Sequence, residues 1–319
     1  MKLSEQQGLV LAASRLNADL SHVEVAKRAR VTVPVVRNTL HRLAASGAIK
    51  RATLVNVYRL GLTEYDFYCS IGVDGRAERE RFIGLLRQSP LVSYLVESGG
   101  SYQFLVTLAA DSPWSIDEFF QQIGKRFGAA FVSAELMVCL RVILFTPKLL
   151  APRLAAQPPI VITAEGEKVD LDSSARKLLS ALTLHPTESS RSLARELGVP
   201  HSTVSYRIKA LRERGVLLPS IWILNAQGLG LQEFRILISL RGIRSEVKSV
   251  LFKFCSQHAN VTYLLEYLGP WQFAIGVLTH DAATATEIVN QIYDSLGRAI
   301  DKVAVCLIYQ SRKVEFYPY

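Results

Sequence analysis

The stretch Val31–Ile49, VTVPVVRNTLHRLAASGAI, shows how the chain is organised, because its pattern returns later at Val199–Leu217 as VPHSTVSYRIKALRERGVL. The apolar positions recur in register: Val36 with Val204, Leu40 with Ile208, and Leu43 with Leu211. A pattern that repeats at this distance indicates two copies of one structural unit. An interpretation of one copy can therefore be tested on the other.

The correspondence continues downstream, shifted by one residue. Leu60-Gly61-Leu62 corresponds to Leu229-Gly230-Leu231, and Gly100–Phe104 corresponds to Gly269–Phe273. A chain of 319 residues is long enough for two or more domains, and its 49% hydrophobic content can fill their cores. We therefore expect the two halves to share one architecture.

Composition narrows the class of protein. No apolar run approaches the ~20 residues of a membrane helix, and the N-terminal residues lack the pattern of a signal peptide. The four cysteines are far apart, and none has a counterpart in the other half. A disulfide framework or a zinc site is not expected from this spacing. The sequence predicts a cytoplasmic protein with no membrane partner and no cofactor or metal.

Positive charge is concentrated in two segments. The net charge is +9, and residues 1–60 contain ten lysines and arginines against three acidic residues. Residues 172–225 contain eight against four, so the rest of the chain is close to neutral. Basic charge gathered on short helical segments is typical of proteins that bind the phosphates of nucleic acid. The alternative is an ordinary solvated basic face.

Each basic segment has the pattern of three short helices. In the second half, Asp172 can cap the first helix, and the third helix is expected at about Ser202–Arg214. Three helices with a short turn before the third predict a helix-turn-helix. The apolar, β-branched segments Ile49–Asn56 and Val216–Leu224 then predict the wing of a winged helix.

The remainder of each half alternates strand and helix in the order βαββαβ. This order predicts a ferredoxin-like module of the α+β class, with helices on one face of the sheet. Leu136–Phe145 is apolar on both faces, which predicts that a second sheet, that of the other repeat, covers the free face. The predicted fold is two tandem copies of a winged helix-turn-helix followed by a ferredoxin-like sensor domain of the dimeric α/β-barrel type.

The predicted domains follow one another along the chain. Four prolines within residues 147–159 predict a stiff, extended connector. The expected boundaries are 1–60 for the first winged helix-turn-helix, 61–146 for the first sensor domain, 147–171 for the proline-rich linker, 172–226 for the second winged helix-turn-helix and 227–319 for the second sensor domain.

This order of parts resembles the Lrp/AsnC (feast/famine) family of transcriptional regulators over nearly the whole chain. The resemblance rests on the third helix at 199–215, the strand after it, the Leu-Gly-Leu hinge and the βαββαβ module, together with a loop running from Glu97 to Tyr102 and from Glu266 to Trp271. It implies dimers or larger rings that bind promoter DNA and respond to amino acids or other small molecules.

Three features depart from the family's pattern. This chain has two modules where the family has one. Gln103 and Gln272 stand where the family's sensor loop commonly carries aspartate, which weakens the case for an amino-acid effector. The first copy has Arg30 where the second has the turn glycine, Gly198.

The third helix of the second copy offers side chains suited to base edges in the major groove. These candidates are His201, Ser202, Thr203, Ser205, Tyr206 and Arg207. Among them, Arg207 has the chemistry for a bidentate contact to guanine. Phosphate contacts are expected from Lys209, Arg212 and Arg191. The alternative is a helix face that is merely solvated.

The first copy has fewer side chains for base contacts. Its candidates are Thr32, Arg37, Asn38, His41 and Arg42, with Lys50 and Arg51 on the following strand. We expect this copy to bind mainly phosphates, which carry no sequence information by themselves. The alternative is a degenerate helix that only packs. Two unlike domains in one chain predict an internal pseudo-dimer that binds double-stranded DNA at an asymmetric site, or half of a larger palindrome if chains form homo-oligomers.

The loop after the second sensor strand is the candidate site for a small-molecule effector. Its residues are Glu97, Gly100, Tyr102 and Gln103 in the first half and Glu266, Gly269, Trp271 and Gln272 in the second. Glycine permits close approach of a ligand, and glutamine offers both a donor and an acceptor. The alternative is that these residues build a subunit interface.

A siroheme decarboxylase of the same architecture is the main rival hypothesis. Such enzymes are expected to carry a histidine shortly before the Leu-Gly of the hinge, where this chain has Val57 and Ala226. The histidines are scattered, and no arrangement of nucleophile, base and acid is visible. The sequence therefore predicts that the chain is not an enzyme. A third hypothesis is a sensor that no longer binds DNA and acts through protein partners.

Overall fold

A computed structural model describes residues 3–73, 75–155, 157–242 and 246–317. The helices in these ranges are α1 (Glu5–Ser14), α2 (His22–Ala29), α3 (Val33–Ala45), α4 (Arg76–Gln88), α5 (Pro113–Phe127), α6 (Ser173–Leu184), α7 (Ser190–Glu196), α8 (His201–Glu213), α9 (Glu246–Gln257) and α10 (Ala282–Leu296). The strands are β1 (Ile49–Ala52), β2 (Thr63–Ile71), β3 (Val92–Gly100), β4 (Phe104–Ala110), β5 (Phe131–Leu144), β6 (Ile160–Thr163), β7 (Ile221–Leu224), β8 (Gln232–Leu240), β9 (Val261–Leu268), β10 (Phe273–Thr279) and β11 (Ile300–Val314). Ser245, where the α9 pattern was expected to begin, lies outside the described residues.

The predicted mixture of α and β structure is confirmed. In the first half the antiparallel strand order is β5-β2-β4-β3, and in the second it is β11-β8-β10-β9. This is the strand order of a ferredoxin-like βαββαβ module. Among the described residues, none of the helices combines the length and apolar character needed to cross a membrane.

The chain divides into two compact units that are not sequential. The first unit takes Met1–Arg51, Arg141–Ile162 and Pro219–Ile308, and the second takes Ala52–Leu140, Thr163–Leu218 and Tyr309–Tyr319. Each unit combines the helices that begin one half with the sheet of the other half. The sequence predicts domains that follow one another along the chain, and it does not predict that each unit takes segments from both halves. This exchange follows from β5 and β11, whose 14 and 15 residues exceed the seven to nine of their neighbours.

The first unit has two apolar cores. One lies between α9, α10 and the sheet of the second half, and includes Leu251, Ile275 and Ile288. The other holds the first helical domain, which we define as α1–α3, and includes Leu11 and Leu43. Leu150 from the linker and Leu229 from the hinge also pack into this second core.

The second unit is organised in the same way. Phe67, Phe82 and Ile123 fill the core between α4, α5 and the sheet of the first half. A separate core holds the second helical domain, which we define as α6–α8, and it includes Leu179 and Leu211. Residues from the first half's hinge region, such as Val57 and Leu62, complete that core.

The strands that follow the helical domains differ from the prediction. Each domain is followed by one short strand, and β1 and β7 pair with each other in a two-stranded sheet rather than each folding into its own hairpin. The linker is also more ordered than predicted. It contains a 3-10 turn at Lys148–Leu150, and β6 pairs with β5.

A pair of acidic residues lies on one face of β2 in the second unit. Asp66 is 2% exposed and accepts hydrogen bonds from the hydroxyls of Tyr68 (3.0 Å) and Thr107 (2.6 Å). Burial, together with the like charge of Asp66, raises the pKa of Glu64 to about 7. Sequence analysis did not single out this pair, although residues 64 and 66 of a strand must share a face.

The turn between the second and third helices of each helical domain requires a left-handed residue. Gly198 has φ +65° there, and Arg30 adopts φ +54° at the equivalent place in the first half. We predict that Gly198→Ala lowers the free energy of unfolding by ~1–2 kcal/mol, because an L-residue is strained in this region. Gly84→Ala in α4 should instead raise the free energy of unfolding by ~0.5–1 kcal/mol. Gly84 has open space around it, and alanine loses less conformational entropy than glycine when the helix forms. Urea unfolding followed by circular dichroism measures both, and equal effects would contradict the assigned backbone conformations.

The raised pKa of Glu64 predicts a pH dependence of stability. Below its usual pKa of 4.5 the carboxyl is protonated in both the folded and unfolded states, and above about pH 7 it is ionised in both. Between these values the folded state binds more protons, so stability falls as the pH rises. Glu64→Gln should remove this decline. Between pH 4 and pH 8, the free energy of unfolding of the variant should therefore rise relative to that of the wild type by at most about 3 kcal/mol. Identical pH profiles for the two proteins would contradict the burial of this carboxyl.

Candidate nucleic-acid interface and sensor loops

Local hydrogen bonds define the three helices of the second helical domain. Asp172 caps α6 by accepting a hydrogen bond from the amide of Ala175 (2.6 Å), and Ser189 caps α7 by accepting one from the amide of Ser192 (3.2 Å). Gly198 then turns the chain into α8. These caps satisfy amides that a helix leaves free, and they set where each helix begins.

α8 has one buried face and one exposed face. Val204 and Leu211 lie in the core, at 1% and 3% exposure. The opposite face exposes His201, Ser202, Ser205, Tyr206, Lys209 and Arg212, whereas Thr203 is half-buried. Tyr206 is 73% exposed, which is unusual for a large aromatic side chain without a partner surface. Most of the side chains of this domain that are predicted to contact DNA therefore lie together on one exposed helix face.

Arg207, the candidate for a guanine contact, is partly exposed and lies near Asp172. Its side chain is 29% exposed, and its Nη1 lies 3.9 Å from Oδ1 of Asp172. Arg207 thus lies at the margin of the buried face and is directed toward the start of α6. This geometry suits a residue that positions α8 better than one that reaches a guanine.

The turn between α7 and α8 forms an open cavity of about 660 Å³. It is lined by Arg191, Arg195 and His201, together with the backbone of the turn. Two guanidinium groups beside a helix start provide a favourable surface for phosphate oxygens. Arg195 was not among the sequence candidates, although its spacing of four from Arg191 places both on one helix face.

The first helical domain presents a similar face with different side chains. Val36 and Leu43 of α3 are buried, while Arg37, Asn38, His41 and Arg42 are exposed, as is Lys50 on β1. Thr32 occupies the N-cap position of α3, but its side chain makes no capping hydrogen bond with the described residues.

Arg51, a candidate DNA contact of the first copy, is paired with an acidic side chain. Its Nη2 lies 2.5 Å from Oδ1 of Asp19, and both side chains are largely buried. Asp19 also accepts a hydrogen bond from the amide of Ser220 at 3.3 Å. Burial raises the pKa of Asp19, but hydrogen bonds from Ser220 and Arg51 outweigh it and hold that pKa below its ordinary value. Arg51 on β1 is therefore linked through Asp19 to the segment just before β7.

The two glutamates of the predicted sensor loops are both buried and paired with cations. In the second unit, Glu97 is 8% exposed; its Oε2 lies 2.8 Å from Nη2 of Arg79, and its Oε1 accepts a hydrogen bond from Nε of Arg312. Burial raises the pKa of Glu97, but hydrogen bonds from Arg312 and Arg79 outweigh it and hold the pKa below its ordinary value. An effector at this loop would have to compete with an existing ionic cluster.

The loop of the first unit has the same chemistry. Glu266 is 4% exposed, and its carboxylate lies 3.1 Å from Nζ of Lys248 and 3.5 Å from Nη1 of Arg141. Sequence analysis identified both glutamates but not their partners. The partners come from a helix and from a distant strand, and a single sequence gives no signal for that pairing.

The two glutamines have equivalent structural contacts. Oε1 of Gln103 accepts hydrogen bonds from the amide of Ile71 (3.4 Å) and from Nη1 of Arg79 (3.1 Å). Oε1 of Gln272 accepts one from the amide of Leu240 (2.7 Å), and its Nε2 donates to the carbonyl of Gly269 (2.6 Å). Each glutamine thus satisfies an amide at the end of its module's first strand.

The aromatic residues of the loops are buried. Tyr102 is 5% exposed and donates a hydrogen bond to Glu135 (2.5 Å). Trp271 is 3% exposed, with Nζ of Lys302 4.5 Å from its ring centroid. Gly100 and Gly269 both have positive φ, at +102° and +150°. Each unit therefore brings its four predicted loop residues together in a compact, well-bonded turn.

Sequence comparisons identify the second helical domain. Residues 171–217 match the family model described as winged helix-turn-helix DNA-binding. An uncharacterised HTH-type transcriptional regulator of Pyrococcus abyssi is 43% identical over 47 residues, which are 15% of this chain and 31% of that protein. The chain thus spans about a third of the length of this curated relative.

Comparison with solved structures concerns the fold. The crystal structure of the siroheme decarboxylase NirDL is similar over 98% of this chain and 94% of its own, with a TM-score of 0.60 and 14% identity. Its co-complex with an iron-uroporphyrin III analogue gives a TM-score of 0.57 and 13% identity over 98% and 93% of the two chains. The structure of E. coli AsnC matches 46% of this chain and 97% of its own, with a TM-score of 0.38 and 18% identity.

These findings correct one prediction and confirm another. The expectation that the chain is not an enzyme is overturned, because the fold that it shares over 98% of its length is that of a decarboxylase. The predicted winged helix-turn-helix is confirmed in the second half, where residues 171–217 match a DNA-binding family model. Residues 171–217 form a winged helix-turn-helix of the DNA-binding kind, within a chain that has the fold of siroheme decarboxylase NirDL.

Proposed function

We propose that this protein is a DNA-binding transcriptional regulator of the Lrp/AsnC type. The observation that carries the proposal is the match of residues 171–217 to a DNA-binding winged helix-turn-helix whose third helix exposes a polar face. In this proposal residues 1–60 and 172–226 are the DNA-binding domains, and 61–146 and 227–319 are the sensor and assembly domains. Residues 147–171 connect the halves.

In the second helical domain, α8 enters the major groove. His201, Ser202, Ser205 and Tyr206 lie nearest its N-terminus, where a recognition helix contacts base edges. Arg191 and Arg195 lie beside the turn before α8 and bind backbone phosphates. Lys209 and Arg212 lie further along α8 and hold the opposite backbone.

The first helical domain serves as a second helix-turn-helix. α3 exposes Arg37, Asn38 and His41 at the positions equivalent to Ser205, Tyr206 and Lys209. Because the two faces differ in every one of these positions, the operator has two unlike half-sites, spaced by ~34–36 Å or multiples of that distance. Joining both domains in one chain raises the effective concentration of the second for DNA, so each domain can bind weakly alone.

The βαββαβ modules carry the sensor function in this proposal. Their loops hold buried ionic clusters, Glu97 with Arg79 and Arg312, and Glu266 with Lys248 and Arg141. A small molecule with charged groups can exchange partners with such a cluster, and it shifts the protein toward whichever conformation it binds better.

A selection of bound fragments from random DNA, followed by salt titration, tests the DNA-binding proposal. Tyr206→Ala should relax base preference at one position by ~1–3 kcal/mol, because it removes a contact to a base edge. Arg191→Ala should weaken binding to all sequences alike. It should also reduce the slope of log affinity against log salt by the ~0.9 expected for one phosphate contact.

Lys253→Ala is the matched control for loss of charge, because Lys253 is exposed on α9, outside both helical domains. It should leave the salt slope unchanged. If Arg191→Ala behaves like Lys253→Ala and Tyr206→Ala keeps the original base preference, α8 does not contact DNA.

A siroheme decarboxylase is the second candidate function, favoured by the similarity of fold along 98% of the chain. Against it, Val57 and Ala226 occupy the positions where a histidine is expected from the resemblance. Anaerobic incubation with siroheme tests this candidate, with mass spectrometry of the tetrapyrrole as the readout. Loss of carboxylate groups would establish the enzyme, and an unchanged substrate would remove this candidate.

A further inference from the structure

The far ends of β5 and β11 connect the sensor loops to the helical domains. In the second unit, Arg312 on β11 donates hydrogen bonds to Glu97 and, at 3.0 Å, to Glu80. The next residue, Lys313, donates to the carbonyls of Arg87 and Ser89, both at 3.1 Å. The end of β11 is therefore fastened to the loop glutamate and to the end of α4.

The chain then enters the second helical domain. The amide of Glu315 donates to the carbonyl of Ser93 at 2.8 Å, which continues the pairing beside β3. Tyr317 follows, and it is 2% exposed within the core of the second helical domain. Its neighbours include Ala181 of α6 and Leu197 at the end of α7. Tyr317 is five positions after Arg312, a span of at most ~17 Å in extended chain.

In the first unit, β5 also carries an arginine that reaches the loop glutamate. Arg141 lies 3.5 Å from Glu266 through its Nη1. The carbonyl of Phe145, the residue just after β5, accepts a hydrogen bond from Arg15 of the first helical domain. Arg15 is 7% exposed, so this contact is buried.

The linker beyond Phe145 is packed tightly against α1. A Cβ added to Gly8 of α1 would lie 2.0 Å from the carbonyl oxygen of Leu150, so only glycine permits this approach. The amide of Leu149 also donates to the carbonyl of Ala259 at 2.8 Å. The first helical domain is thus attached to the chain that leaves β5, as the second is attached to the chain that leaves β11.

We propose that Glu97 and Glu266 are positioning residues that hold the helical domains through these strand ends, Glu97 through Arg312 and Tyr317, and Glu266 through Arg141 and Phe145. The inference deepens the proposed function, since it names how a ligand at each loop acts on DNA binding. A ligand that takes the carboxylate's place at the arginine loosens one strand end and so frees one helical domain. Charge-assisted hydrogen bonds are the stronger kind, which suits them to this task.

Hydrogen–deuterium exchange on the full-length protein tests the pairing of each loop with one domain. Glu97→Gln should speed amide exchange in α6 and α7 by roughly tenfold and leave α1–α3 unchanged, because a hydrogen bond to a charged group is weakened at one strand end only. Glu266→Gln should do the reverse: amide exchange becomes faster in α1 and at residues 149–151, and its rate in α6–α8 does not change. Each variant is the matched control of the other.

Tyr317→Ala separates the anchor from the ionic cluster. It should speed exchange in α6 and α7 while β3 around Glu97 stays protected. If Glu97→Gln does not fold, Arg312→Lys, which keeps the charge but not the fork of donors, gives the same pattern with smaller amplitude. Changes confined to the mutated loop, or equal in both helical domains, would overturn the proposal. Fluorescence anisotropy with labelled DNA is measured in parallel. If the wild type does not bind DNA, the proposed function is wrong, whereas the pairing of each loop with one domain is judged from the exchange pattern alone.

Discussion

β5 and β11 are longer than the strands that lie beside them. The division of the chain into its two units follows from this extra length. A strand of 14 or 15 residues cannot be paired along its whole length by neighbours of seven to nine. Its backbone groups must still find partners, because unpaired buried amides and carbonyls are costly. The surplus residues therefore belong to the unit built around the other half's sheet, and with them comes the chain that leads to a helical domain. Domain exchange within one chain is the result.

The two halves keep this common plan but have diverged in their buried polar groups. At equivalent positions of the first sheet strand, the second unit has Glu64 and Asp66, whereas the first unit has Glu233 and Arg235. Arg235 donates to the hydroxyl of Tyr263 at 2.9 Å, and burial raises the pKa of Glu233 although the charges of Arg235 and Arg15 oppose the rise. Buried ionisable groups are tolerated only with partners, so each half has its own set of polar partners. The unlike faces of α3 and α8 extend this divergence to the surface.

Local sequence patterns predicted the parts of this fold that depend on neighbouring residues. The third helices, the βαββαβ order and the loop residues 97–103 and 266–272 follow from periodicity, caps and glycine positions, and the structure places them close to where the sequence does. Contacts between distant segments were not predicted. Arg51 and Arg207 are candidate DNA contacts in the sequence, and the structure adds an acidic neighbour to each, Asp19 and Asp172. The partners of Glu97 could not be predicted either, because Arg312 reaches it only through the exchange of strands. A periodic pattern specifies which face is buried, and it contains no information about which distant chain covers it.

The fold alone does not decide between a regulator and an enzyme, because function resides in particular side chains placed on a shared scaffold. The scaffold here is one that a siroheme decarboxylase also uses. The acidic residues of the sensor loops are each paired with an adjacent cation. The exposed groups converge elsewhere, on α8 and the turn before it, where His201, Arg191 and Arg195 surround an open cavity. That surface suits a polyanion that lies across it, whereas the loops suit a ligand small enough to exchange with a single ion pair. In the regulator that we propose, α8 faces DNA and the loops hold exchangeable ion pairs. The strand ends that join the two in each unit are then the physical route between them.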